Sequence, residues 1–247
     1  MFYPLTGVYF YFVAVYPYAA IEAPENIDGM NNNGEIEVVL NLDGSHDVMT
    51  TGVGYGNIDH PWSITGDGTV IDEDVLVFSH KLACLNCLFI AESADAAATY
   101  GDIVKVELVD QPSQVTLNAG KLALDSTEPL AIAPTSIPTA YDAYRGGAAG
   151  NMTLPYSAGA YDPDDAAGFG YFLALPNQTY TFRITTSAGN RPHNPIYVTY
   201  NFSTDTSPST TVEAGTVYYL TFKMLETHEI AIEVSTSKEW WLDQEFD

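Results

Sequence analysis

The stretch from Glu73 to Glu92, EDVLVFSHKLACLNCLFIAE, constrains the fold more than any other part of the chain. Val75, Val77, Ser79, Lys81, Ala83, Leu85 and Cys87 fall on one alternation, and Leu76, Phe78, His80, Leu82, Cys84 and Asn86 fall on the other. Successive side chains of a strand point to opposite faces, so a strand here is nearly apolar on both. Such a segment has to be covered on two sides, or to break into two strands at a kink near His80. A helix is the competing reading by length alone. The β-branched and aromatic residues of its N-terminal side, and the lack of a polar helical stripe, favour a place in a central sheet.

A length of 247 residues suits one large all-β domain or two of ordinary size. Hydrophobic residues make up 46%, enough for a packed core and too many for a disordered chain. Only 16% of residues are charged, so Thr, Ser, Asn and Gly carry much of the solvent-facing surface, as in β-rich extracellular proteins. The formal net charge is −24, and the first basic residue is Lys81. Nucleic acid is excluded as a partner, because phosphate binding needs clustered Lys and Arg. An anionic membrane surface is disfavoured for the same reason.

No segment reaches the run of roughly 18 apolar residues that a transmembrane helix requires, so direct membrane insertion is not expected. The opening MFYPLTGVYFYFVAVYPYAA is apolar, but it lacks a basic start and is interrupted by Pro4, Gly7 and Pro17. It reads as a strand over Val8–Tyr16, and the chain is expected to be a mature or trimmed form without its export signal. Cys84 and Cys87 lie three apart, on opposite faces of a strand, which is poor geometry for a disulfide. They are expected to be two buried free thiols.

Further strands are expected where apolar residues alternate. Glu35–Leu42 is one; Asp47-Val48-Met49 opens another, and Asp102–Val109 follows a helical turn at Asp95–Tyr100. Val115–Leu124 suggests a hairpin turning at Asn118-Ala119-Gly120. Asp125–Ala167 is rich in Pro, Gly, Ala and Asp and reads as a domain crossing with a surface loop. Beyond it, Tyr171–Leu175, Thr179–Ser187, Ile196–Ser203, Val217–Leu225 and Thr227–Val234 read as strands. Their inward residues are Tyr180, Phe182 and Ile184, then Ile196, Val198, Tyr200 and Phe202, then Ile230, Ile232 and Val234. Short strands at this spacing indicate β-sandwiches.

Phe78-Ser79-His80-Lys81-Leu82-Ala83 with Leu85 resembles the F-x-H-x-L-A-x-L signature of the fimbrillin-like proteins, subunits of Bacteroidales type V pili. Other elements follow in the family's order. Phe10–Pro17 resembles its F-x-A-Y-P strand, Asp47-Val48-Met49 its D-L-M element, and Leu173–Pro176 its L-x-P strand start. Gly215–Leu220, Ile230–Val234 and Trp240 resemble its closing pattern. The resemblance implies an all-β chain of two transthyretin-like, Greek-key β-sandwich domains in tandem. The expected domains are residues 1–135, lacking a first strand, and 136–247. It also implies a secreted pilus subunit on the outer membrane that polymerises head-to-tail by donor-strand exchange with copies of itself and other pilus subunits. On that reading Trp240, Trp241 and Leu242, in Ser235–Asp247, are donor-strand candidates. Phe10, Phe12, Val13, Val15, Phe78, Leu82 and Leu85 are groove or interface candidates.

Catalytic patterns are not found: His46, His60, His80, His193 and His228 are scattered, and neither H-E-x-x-H nor G-x-S-x-G occurs. No cofactor is expected. Calcium is a minor alternative, because Asp162-Pro163-Asp164-Asp165, Asp28 with Asn31–Asn33, and Asp72-Glu73-Asp74 offer oxygen ligands without calcium-loop spacing. Two other functions remain as alternatives. An adhesive or carbohydrate-binding sandwich, contacting host glycans or proteins, requires clustered exposed aromatics. A secreted hydrolase requires a cleft with two carboxylates.

Overall fold

The computed structural model describes residues 10–12, 14–16, 37–42, 44, 46–51, 53–56, 63–65, 78–112, 114–118, 131–134, 139–160, 162–188, 194–205 and 211–237. In chain order the elements begin with β1 (Phe10–Phe12), β2 (Val15–Tyr16), β3 (Glu37–Asn41), β4 (Met49–Thr51), β5 (Val53–Gly56), β6 (Ser63–Thr65) and β7 (Phe78–His80). There follow β8 (Ala83–Ala91), α1 (Ala94–Tyr100), β9 (Ile103–Gln111), β10 (Gln114–Asn118), β11 (Ala131–Pro134) and β12 (Thr139–Asp142). The chain then continues through β13 (Ala167–Ala174), β14 (Thr179–Thr186), β15 (Ile196–Asn201), β16 (Val217–Met224) and β17 (Ile230–Ser237).

The strands form two compact units. The first comprises Met1–Leu42, His46–Lys81 and Gln114–Ser136; the second comprises Asp43–Ser45, Leu82–Ser113 and Ile137–Asp247. A single cut near residue 135 therefore does not separate them. The segment Leu82–Ser113 supplies β8 and β9 to the second unit, and the chain then returns to the first for β10 and β11. In the first unit, antiparallel sheets run in the orders β1-β5-β6, β11-β10-β3 and β2-β4-β7. The apolar opening forms two strands: β1 pairs with β5 and β2 with β4, and between them the Ala14 amide donates to Thr51 Oγ1 at 2.9 Å. The expected hairpin after Val115 has its second half outside the described residues, and β10 pairs with β11 and β3.

The second unit is a β-sandwich of two four-stranded sheets, β13-β8-β16-β17 and β12-β9-β14-β15. The central stretch breaks after His80, so β7 belongs to the first unit and β8 to the second. Within β8 the alternation is realised: Ala83, Leu85, Cys87, Phe89 and Ala91 are fully buried, while Cys84, Asn86 and Leu88 are half-buried. β8 pairs antiparallel with β13 and parallel with β16, in continuous register from Val217 opposite Cys84 to Met224 opposite Ala91. Cys87 is buried, Cys84 is half-buried, and neither forms a disulfide. Burial pushes the Cys87 thiol well up.

Aromatic rings bind the two sheets together. Phe222 stacks on Phe89 at 4.9 Å and meets Phe182 edge-on at 5.2 Å; Tyr141 meets Phe172 at 5.7 Å. These contacts lay β14 over β16 and β12 over β13. Strand order then places β15 and β17 together at the opposite flank. Buried phenols find backbone partners, as buried polar groups must. Tyr180 Oη donates to the Leu175 carbonyl at 2.8 Å and accepts from the Asn177 amide at 2.8 Å. Tyr218 Oη accepts from the Glu213 amide at 2.8 Å.

Helix α1 covers one end of this core. Ser93 caps it by accepting from the Ala96 amide at 3.2 Å, and Ala96 and Tyr100 face inward. It ends at Gly101, whose φ of +69° suits glycine; a Cβ there would also come within 2.5 Å of Ser187 Oγ.

Truncating Phe222, which lies between both sheets, to Ala should cost about 3–5 kcal/mol in denaturant unfolding. Ile232→Ala, at a half-buried edge position, should cost about 1–2 kcal/mol. Equal costs at the two positions would contradict this placement of the core.

Candidate functional site

Strands at the ends of a sheet present unpaired backbone groups, so the four edges of the sandwich are where a partner strand can add. Two of them are obstructed. β12 and β13 carry register shifts, between Thr139 and Tyr141 and between Gly168 and Gly170. The segment after β12 closes this flank. Tyr144 and Tyr171 exchange backbone hydrogen bonds of 2.8 and 3.0 Å, and Ile103 and Met152 do so at 2.8 and 2.9 Å. The Ala91 amide donates to the Pro155 carbonyl at 2.7 Å. At Gly170 a Cβ would lie 2.5 Å from the Tyr144 carbonyl oxygen, so only glycine permits this approach. The Arg145 guanidinium lies 4.3 Å from the centre of the Phe169 ring.

Among the described residues the opposite flank has neither device. β17 pairs with β16 through eight consecutive positions and β15 with β14 through six, all without a register shift. Their inward residues, Ile196 and Val198 on β15 and Ile230, Ile232 and Val234 on β17, are only half-buried. The same alternation gives full burial to Phe182 and Ile184 on β14 and to Leu220 and Phe222 on β16. The difference lies in position: an interior strand is covered from both sides, and an edge strand from one. The result is a row of aliphatic side chains beside two regular, unblunted strand edges.

The sequence-derived candidates are distributed differently. Leu82 and Leu85 are fully buried, Leu85 within the sandwich's own core. Phe78, on β7, is 38% exposed rather than inward. Val15 is half-buried in β2, and Phe10 and Phe12 are placed as backbone positions of β1. Val13, Trp240, Trp241 and Leu242 lie outside the described residues. Ser235–Ser237, the start of the expected donor segment, belong instead to β17, paired with Tyr219, Tyr218 and Val217. The aliphatic residues of β15 and β17 had been legible only as core.

Two of the motif elements meet. His80 of the F-S-H-K-L-A stretch hydrogen-bonds through Nδ1 to Oδ2 of Asp47, from D-V-M. The Lys81 amide donates to the Val48 carbonyl at 2.8 Å beside it. Asp47 is 3% exposed, and its Oδ1 is buried without a hydrogen-bond partner. Burial pushes this carboxyl up to about 6, against the opposing pull of His80. Glu107 is the converse case: Arg183 Nε donates to its Oε2 at 2.6 Å and Lys105 Nζ lies 2.8 Å from its Oε1. The Arg183 guanidinium, helped by Lys105, holds the Glu107 carboxyl below its ordinary range despite burial.

Phe78 on β7, Tyr156, and Tyr197 on β15 are exposed. Among the described residues, no group of three or more His, Cys, Asp or Glu side chains is placed to hold a metal ion. Asp162 caps a short 3₁₀ turn, its Oδ1 accepting from the Asp164 amide at 3.0 Å. Among the described residues no helix is long and apolar enough to cross a membrane.

A carboxyl whose folded value lies above its unfolded value favours folding fully below the unfolded value, about 3.8, and loses that contribution as pH rises through about 6. Relative to Asp47→Asn, the parent chain should therefore lose on the order of 1–2 kcal/mol of stability between about pH 4 and pH 7 in denaturant unfolding. A difference that is flat with pH, or of opposite sign, would contradict the desolvated carboxyl.

The comparisons with known proteins bear on the whole chain. A structure of a candidate cell adhesion protein from Bacteroides uniformis matches with a TM-score of 0.55 at 15% identity, over 96% of this chain and 75% of that one. This likeness shows the fold. A candidate cell adhesion protein from Bacteroides ovatus matches at 15% identity and TM-score 0.42, over 93% of this chain and 66% of that one. A fimbrial protein from Bacteroides vulgatus matches at 13% identity and TM-score 0.39, over 91% and 76%. No curated protein matches the sequence. The model of the fimbrillin-like family matches residues 1–240, nearly the entire chain, and the protein belongs to that family.

Proposed function

We propose that the chain is a non-enzymatic structural subunit of a bacterial surface pilus, held outside the cell at the outer membrane. It joins copies of itself and other pilus subunits head-to-tail by strand exchange, and the assembled fibre supports adhesion to host glycans or proteins. Family membership over residues 1–240 supports the pilus role. The observation that carries strand exchange is the asymmetry of the sandwich: one flank is stitched shut, and the other leaves regular edges beside half-buried aliphatic residues. Such edges favour aggregation unless a partner strand satisfies them, and a head-to-tail contact that does not close yields a filament. The net charge of −24 favours solubility of the unassembled subunit.

Size exclusion and negative-stain imaging of the full chain should reveal ladders of oligomers or filaments. Removing Lys238–Asp247, which leaves β17 intact, should reduce them to monomer. A full chain that stays monomeric, or a truncated chain that assembles equally well, would contradict assembly through this segment.

A further inference from the structure

The outer face of the β12-β9-β14-β15 sheet carries a row of polar side chains that the core does not explain. Asp142 lies opposite Glu107, Glu107 opposite Arg183, and Arg183 opposite Tyr197, so the row crosses all four strands. Four strands at their usual spacing span about 14 Å, room for more than one sugar ring. Arg183 grips Glu107 with two nitrogens, Nε at 2.6 Å and a second contact to Oε1, and it also bonds the Tyr197 hydroxyl. Lys105 Nζ bridges Glu107 at 2.8 Å and Asp142 at 3.0 Å. Glu107 is only 5% exposed although it points away from the core, because these two cations cover it. A desolvated ion pair is a costly way to hold a sheet together, whereas it fixes its neighbours in one geometry.

Tyr197 is 58% exposed, the most exposed of the large hydrophobic side chains described. Beside it Thr181 and Thr199 face each other across the strands, their hydroxyls 3.0 Å apart. We propose that this face binds a neutral oligosaccharide along the row, with a pyranose ring stacked on Tyr197 and its hydroxyls bonded by Arg183, Lys105, Asp142 and Thr199. A phenol ring offers an apolar surface to the C–H face of a sugar, and the charged groups supply fixed donors and an acceptor.

Charge decides the ligand class. Two cations and two carboxylates make the row neutral on a chain of net charge −24. Lys105 and Arg183 are already engaged by carboxylates, and the surrounding negative charge repels anionic glycans. A cationic ligand meets carboxylates that are already paired. A protein partner calls for a broad apolar centre, and the centre of this row is an ion pair.

This inference rests on the adhesive role proposed above and is independent of strand exchange. The fluorescein-labelled full chain would be applied at a series of concentrations to an array of immobilised neutral and sialylated oligosaccharides. Binding to neutral members is expected, and Tyr197→Ala should weaken it at least about tenfold. Tyr197→Phe, which keeps the ring, should stay within about threefold, and Asp142→Ala should weaken binding about fivefold. Tyr156→Ala, which removes an exposed ring outside the row, should leave it unchanged. Circular dichroism checks that each variant is folded. Binding that survives Tyr197→Ala would overturn this face while leaving glycan adhesion standing. Binding confined to sialylated members, or to no member of the array, would overturn the proposal even where the chain still forms filaments.

Discussion

The burial of β8 is the constraint on which the second unit depends. Its backbone is paired on both sides, antiparallel to β13 and parallel to β16, and every odd-numbered side chain from Ala83 to Ala91 is sealed in the core. A strand in that position cannot be solvated without opening both ladders. The aromatic contacts follow from it. Phe89 supports Phe222, Phe222 meets Phe182, and Phe182 lies 6.0 Å from Phe172, so one stack of rings links β8, β16, β14 and β13. Hydrophobic burial of this kind is the dominant favourable term in folding, and its loss in the middle cannot be offset at the edges.

From that centre outward the two flanks diverge. Toward β12 and β13 the chain adds bulges, a glycine-dependent close approach and backbone bridges, all of which make further strand addition difficult. Toward β15 and β17 it adds nothing of the kind among the described residues. A single unit with both flanks open would pair indiscriminately; one with both closed could not assemble through its edges. On the strand exchange we propose, one open flank gives an assembly direction.

Much of this architecture was legible in the sequence, for identifiable reasons. Alternation gave the inward residues of β14, because that strand is interior and its burial alternates along its whole length. A break near His80 was one of the two arrangements that apolar residues on both alternations allowed. The pairing of β8 with β16 was not legible: the partners are remote in sequence, and parallel register leaves no local turn signal. The assignment of Leu82–Ser113 to the second unit was hidden for the same reason, since the chain leaves and re-enters the first unit without a change in composition. Half-burial at Ile232 or Val198 also escaped prediction, because an edge strand carries the same alternation as an interior one. Asp47 and His80 stood out through resemblance alone; that they contact each other depends on β4 lying beside β7.

Residue-resolved hydrogen exchange of the monomeric chain tests most directly whether a sealed centre coexists with one open flank. Amides of Ala83–Ala91 and Val217–Met224 should exchange slowest, near the limit set by global unfolding. Protection should fall on β17 and β15, with alternate amides facing the open side exchanging fastest, while β13 stays protected by its contacts with Tyr144. Equal protection at β13 and β17, or faster exchange in β8 than in β17, would contradict a sandwich built on β8 with an open side.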